Sequence, residues 1–518
     1  MQIQKNSGPL TGTHDDAQYR EVRSRLQEIR DLQAAASVLK WDRATYMPAG
    51  GAVARGQQIA TLRKLAHDKL TDPALGELLE NLRDFERSLP YESDDASIVR
   101  LARRDFDRAS RIPSSFIATL ASHQTETYMA WSRAKPEGNF EAVRPFLEKT
   151  LELSRQWASF FPESDRVADP LIAEEDEGMT TQTIQGLFET LRSQLVPLVD
   201  AIAERPPLDD RILSQDFDET TQLNFCYKVI DRVGYDFDRG RLDRTLHPFA
   251  TRLSHGDVRI ATRVRPNQLT ESLFSSLHEM GHALYEQGID PALDGTPLAR
   301  GTSAGMHEGQ ARLWENFIGR SRAFWECFYP WLQGMFLRQL GQVPVNDFYR
   351  AINKVERTPI RTAADEVTYN LHAIVRFDLE VAMLEGHLAV KDLPEAWNER
   401  YRQDLGIVPQ NHTEGVLQDV HWFVETIGGQ FQGYTLGNLI AAQLYESALK
   451  IHPEIPVDIE RGNFETLHGW LRRNIYRHGR KFTANESILR VTGKPLHVDP
   501  FIRYLRRKYG DLYAIAWD

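Results

Sequence analysis

The chain has 518 residues, of which 41% are apolar and 26% charged, so it can bury a substantial core. Its formal net charge of −11 excludes the basic surface on which nonspecific nucleic-acid binding depends, and we expect no nucleic-acid partner.

The two cysteines, Cys226 and Cys327, are too few for a disulfide framework or for a metal site made of cysteines. Residues 1–16 are polar and lack the apolar core of a signal peptide. No apolar run approaches the roughly 18 residues that cross a bilayer. We therefore expect a cytoplasmic protein with no membrane partner.

Helical periodicity dominates the chain. Apolar residues from Val22 to Leu39 lie on one face of a long predicted helix, and a turn at residues 47–51 separates it from a second helix. Further helical patterns cover roughly these ranges: 95–160, 180–204, 219–233, 313–340 and 364–389. Because no long linker or internal repeat interrupts them, residues 1–518 are predicted to form a single unit.

The clearest β signal follows residue 248. Apolar and β-branched residues alternate with polar ones from Phe249 to Leu253, residues 254–257 can turn, and the alternation resumes from Val258 to Val264. The pattern predicts a hairpin, whose free edge can bind an extended peptide through backbone hydrogen bonds. A surface hairpin with exposed arginines, Arg259 among them, is the alternative.

The most informative motif is H-E-x-x-H, at His278–His282. Two histidines four residues apart share one helical face and can bind one metal ion, and Glu279 can act as general base toward a water at its open position. Thr270 is the predicted N-cap of this helix and Gly288 its stop. The alternative is a buried helix whose two histidines are satisfied by hydrogen bonds.

A hydrolytic zinc ion needs a third protein ligand. The extended motif, with a further histidine six residues after His282, is absent because Gly288 occupies that position. Glu308 lies 26 residues beyond His282, in a predicted helix from about Ser303 through Phe317. We predict that His278, His282 and Glu308 bind one zinc ion per chain, or cobalt or another divalent metal in its place. The alternative is that Glu308 is an ordinary solvated helix residue.

Other motifs follow one another in a fixed order along nearly the whole chain. They are Trp41-Asp42, Tyr46-Met47-Pro48, His247-Pro248-Phe249, Asp257-Val258-Arg259-Ile260, Leu277–Gly288, His307-Glu308-x-Gln310, Ile360-Arg361, Ala364-Asp365 and Gly415–Trp422. Together they resemble the thermostable carboxypeptidase Taq family of metallocarboxypeptidases. The resemblance implies a mainly α fold, a large helical metallopeptidase with a deep substrate groove and a small β-hairpin or sheet beside the H-E-x-x-H helix. We expect an N-terminal helical lid at about 15–140 and a metal-site core at about 245–440.

The resemblance also implies an activity. The protein is expected to be a metal-dependent carboxypeptidase that removes the C-terminal residue of peptides with broad specificity, disfavours C-terminal proline and forms a homodimer. Water activated by the metal and by Glu279 would attack the last peptide carbonyl. Two alternatives stay open, an endo-oligopeptidase of the same helical zinc-peptidase type and a catalytically inactive metal-binding protein.

Arg361 is the candidate anchor for the terminal carboxylate, because a guanidinium makes two parallel hydrogen bonds to a carboxylate. Its spacing alone favours a surface ion pair with Asp365, and the resemblance favours the anchor. The resemblance also places the strand of Arg259 along the substrate groove. The other predicted substrate-binding residues are His247, Gln418, Asp419, His421 and Tyr434. Both His421 and Tyr434 are candidates to donate a hydrogen bond to the oxyanion.

The chain departs from the family pattern at three places. Gly309 stands where serine is usual, Ala261 stands where threonine is usual, and residues 428–434 lack an aromatic-proline pair. None of these positions is a predicted metal ligand or Glu279, so the departures concern the substrate preference and leave the reaction class unchanged.

Overall fold

A computed structural model describes residues 13–517, so residues 1–12, which include most of the polar start, lie outside the described part. Its α-helices are α1 (Thr13–Thr45), α2 (Ala52–Leu70), α3 (Pro73–Asn81), α4 (Arg83–Ser88), α5 (Asp94–Arg111), α6 (Ser114–Glu137), α7 (Phe140–Ser159), α8 (Asp169–Glu175), α9 (Thr181–Ala203), α10 (Glu219–Val233), α11 (Leu269–Gly288), α12 (Ala304–Arg312), α13 (Arg322–Met335), α14 (Leu337–Leu340), α15 (Val345–Ile352), α16 (Tyr369–Leu384), α17 (Leu393–Leu405), α18 (His421–Val424), α19 (Phe431–Ile451), α20 (Ile455–Glu460), α21 (Glu465–Asn474), α22 (Ala484–Thr492) and α23 (Asp499–Tyr513). The predicted mainly helical fold is therefore confirmed. Within residues 13–517, no helix combines the length and the apolar character that crossing a bilayer requires.

Local residue chemistry explains where the helical patterns break. The predicted stretch at 95–160 is three helices, because Pro113 precedes α6 and Gly138 ends it in the left-handed region at φ 61°. The patterns at 180–204 and 219–233 correspond to α9 and α10. The stretch at 313–340 begins with a π-helical turn at Leu313–Ile318 before α13.

A small sheet packs beside the helix of the H-E-x-x-H motif. Its strands are β1 (Leu242–Arg244), β2 (Phe249–Ser254) and β3 (Asp257–Thr262). β2 and β3 form the predicted hairpin, and β1, which the sequence analysis missed, pairs parallel to β3 on its other side. The Thr262 hydroxyl lies 3.2 Å from the Ser272 carbonyl of α11 and 2.7 Å from the Ser275 hydroxyl, which joins the sheet to that helix.

Two hydrophobic clusters divide the interior. The larger one contains the apolar face of α11 and most helices from α7 onward. The smaller one joins apolar residues of α1 to α5 with Ile289, Leu293 and Leu298 from the segment between α11 and α12. The proposed lid at about 15–140 stays a prediction; its helices up to Arg111 share the smaller cluster, whereas Ala134 belongs to the larger.

α11 is positioned by close contacts that glycine permits. A Cβ atom at Gly281 would lie 2.6 Å from the Ala311 Cα atom of α12, so the two backbones touch at this point. Gly288, predicted to follow the helix, is its last helical residue, and glycine is needed there for packing, since a Cβ would lie 2.7 Å from the Cβ of Tyr476. The predicted N-cap was wrong by two positions, because buried Leu269 begins the helix and Gln268 precedes it.

We predict that Gly281→Ala separates α11 from α12. The methyl group meets backbone atoms that cannot rotate away, so the free energy of unfolding should fall by about 1–3 kcal/mol. The affinity for zinc should also fall, because the predicted metal ligands lie on both helices. Denaturant unfolding and zinc competition titrations measure the two effects.

Gly186→Ala is the matched control. Gly186 lies inside α9 with no atom within 4 Å of a new Cβ, so alanine should raise the free energy of unfolding by up to about 1 kcal/mol. Equal effects of the two substitutions would contradict the role of Gly281 as the contact between α11 and α12.

Candidate metal centre and carboxylate pocket

The three predicted metal ligands come together at one point. His278 and His282 project from one face of α11, and Glu308 approaches them from α12. The Glu308 Oε2 atom lies 3.6 Å from His278 Nε2 and 3.8 Å from His282 Nε2. Atoms bound to one tetrahedral zinc ion are separated by about 3.3–3.5 Å, so this donor set fits a divalent cation with little movement.

Packing against α19 places Glu308 beside His278 and His282. A Cβ atom at Gly437 would lie 2.6 Å from the Glu308 Cγ atom, so only glycine lets α19 pass this close. At the start of α12, the Ser303 hydroxyl accepts a hydrogen bond from the Met306 N–H and caps the helix.

Glu315 orients the first ligand. Its carboxylate accepts a hydrogen bond from His278 Nδ1 at 2.9 Å, which leaves the Nε2 lone pair for a metal. Arg312 contacts Glu315 at 3.0 Å and Glu308 Oε1 at 2.7 Å, so the second oxygen of Glu308 stays available. Burial opposes ionisation of Glu315, but Arg312 and His278 lower its pKa to about 2.

The second ligand is oriented by a chain of hydrogen bonds. His282 Nδ1 lies 2.5 Å from His307 Nδ1, and His307 Nε2 lies 2.8 Å from Glu286 Oε1. Burial would raise the pKa of Glu286, but the hydrogen bond from His307 holds it below its usual range, so Glu286 is an ionised acceptor. With one proton on each imidazole, His307 donates from Nε2 to Glu286 and accepts at Nδ1, so His282 carries its proton on Nδ1 and leaves its Nε2 free.

Glu279 is buried beside the ligands without being one of them. Burial raises the pKa of its carboxyl to about 7. A carboxylate whose pKa lies near neutrality can take up and release a proton during one reaction cycle, which is the property that a general base requires.

A second group of predicted residues forms a buried cluster around Arg361. Its guanidinium donates from Nε and Nη2 to Asp419, at 3.1 and 2.7 Å, and from Nη1 to the Tyr369 hydroxyl at 2.9 Å. Arg376 also donates to Asp419, at 2.5 Å. Burial opposes the ionisation of Asp419, but Arg376 and Arg361 hold the pKa of its carboxyl well below the usual range.

The alternative interpretation of Arg361, a surface pair with Asp365, is wrong. Arg361 is only 6% exposed and lies in a short 3-10 turn. Asp365 instead accepts hydrogen bonds from the backbone of Val367 and Thr368 just before α16.

His421 and Tyr434 form a hydrogen-bonded pair near Arg361. His421 Nε2 lies 3.1 Å from the Tyr434 hydroxyl, and the Tyr434 ring lies 5.0 Å from the Arg361 guanidinium carbon. Burial, with the positive charge of Arg361, lowers the pKa of His421 to about 4, and burial raises the pKa of Tyr434. Both side chains are therefore neutral at neutral pH.

The remaining predicted substrate residues occupy different surroundings. Gln418 accepts a hydrogen bond from the Arg361 backbone N–H at 2.8 Å and donates to the Pro359 carbonyl, so its amide holds the backbone of the pocket. Arg259 pairs with Asp257 and lies 4.3 Å from the Trp41 ring of α1.

His247 is exposed in the loop between β1 and β2. The Asp257–Arg259 segment lies on the central strand, where the Val258 carbonyl accepts from the Tyr235 hydroxyl at 2.6 Å. A peptide that extends the sheet would therefore pair with β1 or β2, which are the edge strands.

The residues that depart from the family pattern pack against neighbouring elements. A Cβ at Gly309 would lie 3.0 Å from the Ile440 Cγ2 atom, so Gly309 faces α19 and not the metal ligands. Ala261 is fully buried in β3. Gly428 and Gly429 both have positive φ and pack against Leu171, which explains why residues 428–434 hold glycine there.

Sequence reasoning missed Glu315, Arg312, His307 and Glu286 as parts of the centre. Glu315 lies seven residues after Glu308, so two helical turns placed it on the ligand face, and that signal was available. Glu286 likewise lies four residues after His282. Their partners depend on how α12 crosses α11, which spacing along one helix does not reveal.

The chain is similar to known proteins over nearly its whole length. The family model described as carboxypeptidase Taq (M32) metallopeptidase matches residues 21–509. The chain is 38% identical to thermostable carboxypeptidase 1 of Thermus thermophilus, over 96% of this chain and 99% of that one. It is 35% identical to carboxypeptidase 1 of Bacillus subtilis, over 95% and 97% of the two chains. The crystal structure of an M32 carboxypeptidase from Deinococcus radiodurans superposes with a TM-score of 0.94 at 47% identity, covering 96% of this chain and all of that one.

We predict that Glu315→Gln weakens zinc binding about tenfold, because a neutral amide accepts the His278 N–H less strongly than a carboxylate. Competition with a chromogenic chelator measures the dissociation constant without any substrate. Glu326→Gln, in an exposed position of α13, is the control and should leave it unchanged. An unchanged constant in Glu315→Gln would remove Glu315 from the orienting role.

Proposed function

The chain belongs to the carboxypeptidase Taq (M32) family of metallopeptidases and is a metallocarboxypeptidase, and from this premise we propose how its residues act. We propose that His278, His282 and Glu308 hold one zinc ion, or cobalt or another divalent metal in its place. Two imidazole nitrogens and one carboxylate oxygen are a donor set typical of catalytic zinc. When bound, the cation polarises the scissile carbonyl and lowers the pKa of a water molecule.

Glu279 is the proposed general base. Its carboxylate accepts a proton from the attacking water and passes it to the nitrogen of the departing amino acid, so one group acts first as base and then as acid. The support is its position next to His278, its burial and its pKa of about 7.

Arg361 is the proposed anchor of the substrate carboxylate. Of its five N–H groups, three donate to Asp419 and Tyr369, so one remains on each terminal nitrogen. Two adjacent donors match the two oxygens of a carboxylate. Asp419, which is also paired with Arg376, fixes the orientation of the Arg361 guanidinium. The position of this guanidinium sets where the terminal carboxylate binds and therefore which peptide bond is cleaved.

Tyr434 is the proposed hydrogen-bond donor to the developing oxyanion. His421 Nδ1 is buried without a partner among the described residues, and a buried unpartnered acceptor costs less than an unpartnered N–H. This favours the proton of His421 on Nε2, where it donates to the Tyr434 oxygen at 3.1 Å. The Tyr434 O–H is then free to donate toward the substrate.

A broad specificity that disfavours C-terminal proline is part of the proposal. The rings of Tyr369, Phe431 and Tyr434 surround Arg361. Aromatic side chains carry no charge, so a site that they line accepts many different substrate side chains. A C-terminal proline joins its ring to the scissile nitrogen, which limits how that residue can turn toward Arg361.

Two other functions are less well supported. An endo-oligopeptidase needs an open groove on both sides of the scissile bond, whereas the buried ion pair of Arg361 and Asp419 places a cation where the peptide would end. A catalytically inactive metal-binding protein would not need the buried carboxylate of Glu279 beside the metal ligands.

A cytoplasmic location and a homodimer are also proposals. Cys226 is buried and Cys327 is half-buried, and both are free thiols, as expected in a reducing compartment. Trp331 and Leu337, 49% and 69% exposed, are large apolar side chains of the kind that an interface between two copies would cover.

We predict that Glu279→Gln keeps one zinc ion per chain and lowers kcat by about 10²–10⁴-fold, because the amide cannot accept the proton of the water. Elemental analysis measures the zinc content, and ninhydrin detection of released amino acid measures kcat. Near-normal turnover at full zinc content would exclude Glu279 as the base.

We predict that Arg361→Ala lowers kcat/KM for a peptide with a free carboxylate by at least a hundredfold and has a much smaller effect on the same peptide amidated at its end. The amidated peptide is the internal control, since it shares every other contact. Arg211→Ala, an exposed arginine, controls for loss of charge. Equal losses on both peptides would rule out the anchor.

A further inference from the structure

A cationic cavity lies between α1, α5 and the segment that connects α11 to α12. Its volume is about 240 Å³, enough for on the order of eight water molecules. Five arginines line it, namely Arg30, Arg104, Arg108, Arg300 and Arg480, together with the two carboxylates Asp105 and Glu174. The cavity thus carries an excess of positive charge in a protein whose net charge is −11.

Three of these arginines form ion pairs with carboxylates. Arg480 donates to both oxygens of Asp105, at 2.7 and 2.8 Å. Arg108 pairs with Glu174 at 2.7 Å, and Arg104 pairs with Glu177, outside the cavity lining, at 2.9 Å. These pairs use both carboxylates that line the cavity.

Arg30 and Arg300 are left without a carboxylate partner within 4 Å among residues 13–517. Arg30 makes only long contacts, at 3.3 Å to Gln33 and 3.4 Å to the Thr296 carbonyl. The exposed surface of Arg300 faces this cavity and an adjoining one of about 260 Å³ under α1. Burial, followed by the charge of Arg300, lowers the pKa of Arg30 to about 9.

The two unpaired guanidiniums come from different parts of the fold. Arg30 belongs to α1, whereas Arg300 immediately precedes Gly301, whose N–H donates to Glu286 at 3.0 Å. Glu286 holds His307, which in turn contacts the metal ligand His282. The cavity is therefore connected to the proposed metal ligand His282 through Gly301, Glu286 and His307.

We propose that Arg30 and Arg300 form a binding site for an oxyanion, either the carboxylate of an acidic side chain upstream of the scissile bond or a free inorganic anion. An anion between them replaces the repulsion of two unpaired guanidiniums with two charge-assisted hydrogen bonds and joins α1 to the metal-site core. Binding of a peptide side chain at this site rests on the proposed function, whereas binding of a free inorganic anion does not.

The first experiment uses the zinc-loaded enzyme and alanine hexapeptides in which a single Gln, at each upstream position in turn, is exchanged for Glu. At one position kcat/KM should be about tenfold higher for Glu than for Gln. Arg300→Gln and Arg30→Gln should remove this preference and leave kcat/KM for the Gln peptide within about twofold. Arg300→Lys should retain part of it. Arg87→Gln, an exposed arginine of α4, is the matched control.

The second experiment needs no substrate. Sodium sulfate, compared with chloride at constant ionic strength, should raise the Tm of the zinc-loaded wild type and of Arg87→Gln more than that of Arg300→Gln or Arg30→Gln. A sulfate effect without a Glu preference assigns the site to a free anion, and the reverse assigns it to the peptide. If neither effect depends on Arg30 and Arg300, the site does not exist. Failure to hydrolyse even the Gln peptides would instead refute the proposed function and leave the sulfate result intact.

Discussion

The close approach of α11, α12 and α19 is the constraint on which the rest of the structure depends. Gly281 lets the backbone of α12 touch α11, and Gly437 lets α19 pass the side chain of Glu308. A cation can bind His278, His282 and Glu308 together only if α11 and α12 are this close. The glycine in the H-E-x-x-H motif therefore acts on the metal centre through packing, although it has no side chain to offer.

A second consequence of close packing is that charges enter the interior and must be compensated there. Glu308, Arg312, Glu315 and His278 form one closed set, in which each charged group contacts a group of opposite charge or a hydrogen-bond donor. Removing one member leaves another buried and unpaired, at a cost of about 3–5 kcal/mol. A buried polar network whose members are all paired restricts the orientation of its side chains, and we expect this set to hold His278 and Glu308 in place.

The sequence was sufficient for the features that repeat along one element. The H-E-x-x-H helix, the hairpin at Phe249–Leu253 and Val258–Val264, and the helices at 180–204 and 219–233 all follow from periodicity and turn residues. It was insufficient where partners come from distant segments. Arg361 illustrates this, because spacing favoured Asp365 four residues away, whereas the folded chain brings Asp419 against it from another loop.

β1 was missed for a related reason, since a three-residue strand has no periodicity of its own and forms only because β3 supplies its hydrogen-bond partners. The hydrogen-bonded chain from His282 through His307 to Glu286 is a second feature that the sequence did not predict. Only the four-residue spacing of His282 and Glu286 was visible in the sequence, whereas the contacts of His307 with both depend on how α12 crosses α11.

The segment between α11 and α12 joins the smaller hydrophobic cluster to the helix of the H-E-x-x-H motif. Its apolar residues, Ile289, Leu293 and Leu298, are buried in the cluster of α1 to α5, while Gly301 and Thr302 donate to Glu286 and Tyr285 of the metal helix. A displacement of α1 to α5 relative to the core would have to move this segment or break its burial. Because Gly301 of the same segment contacts Glu286, and Glu286 contacts His307, the N-terminal helices are joined by a continuous set of contacts to His282, a proposed metal ligand.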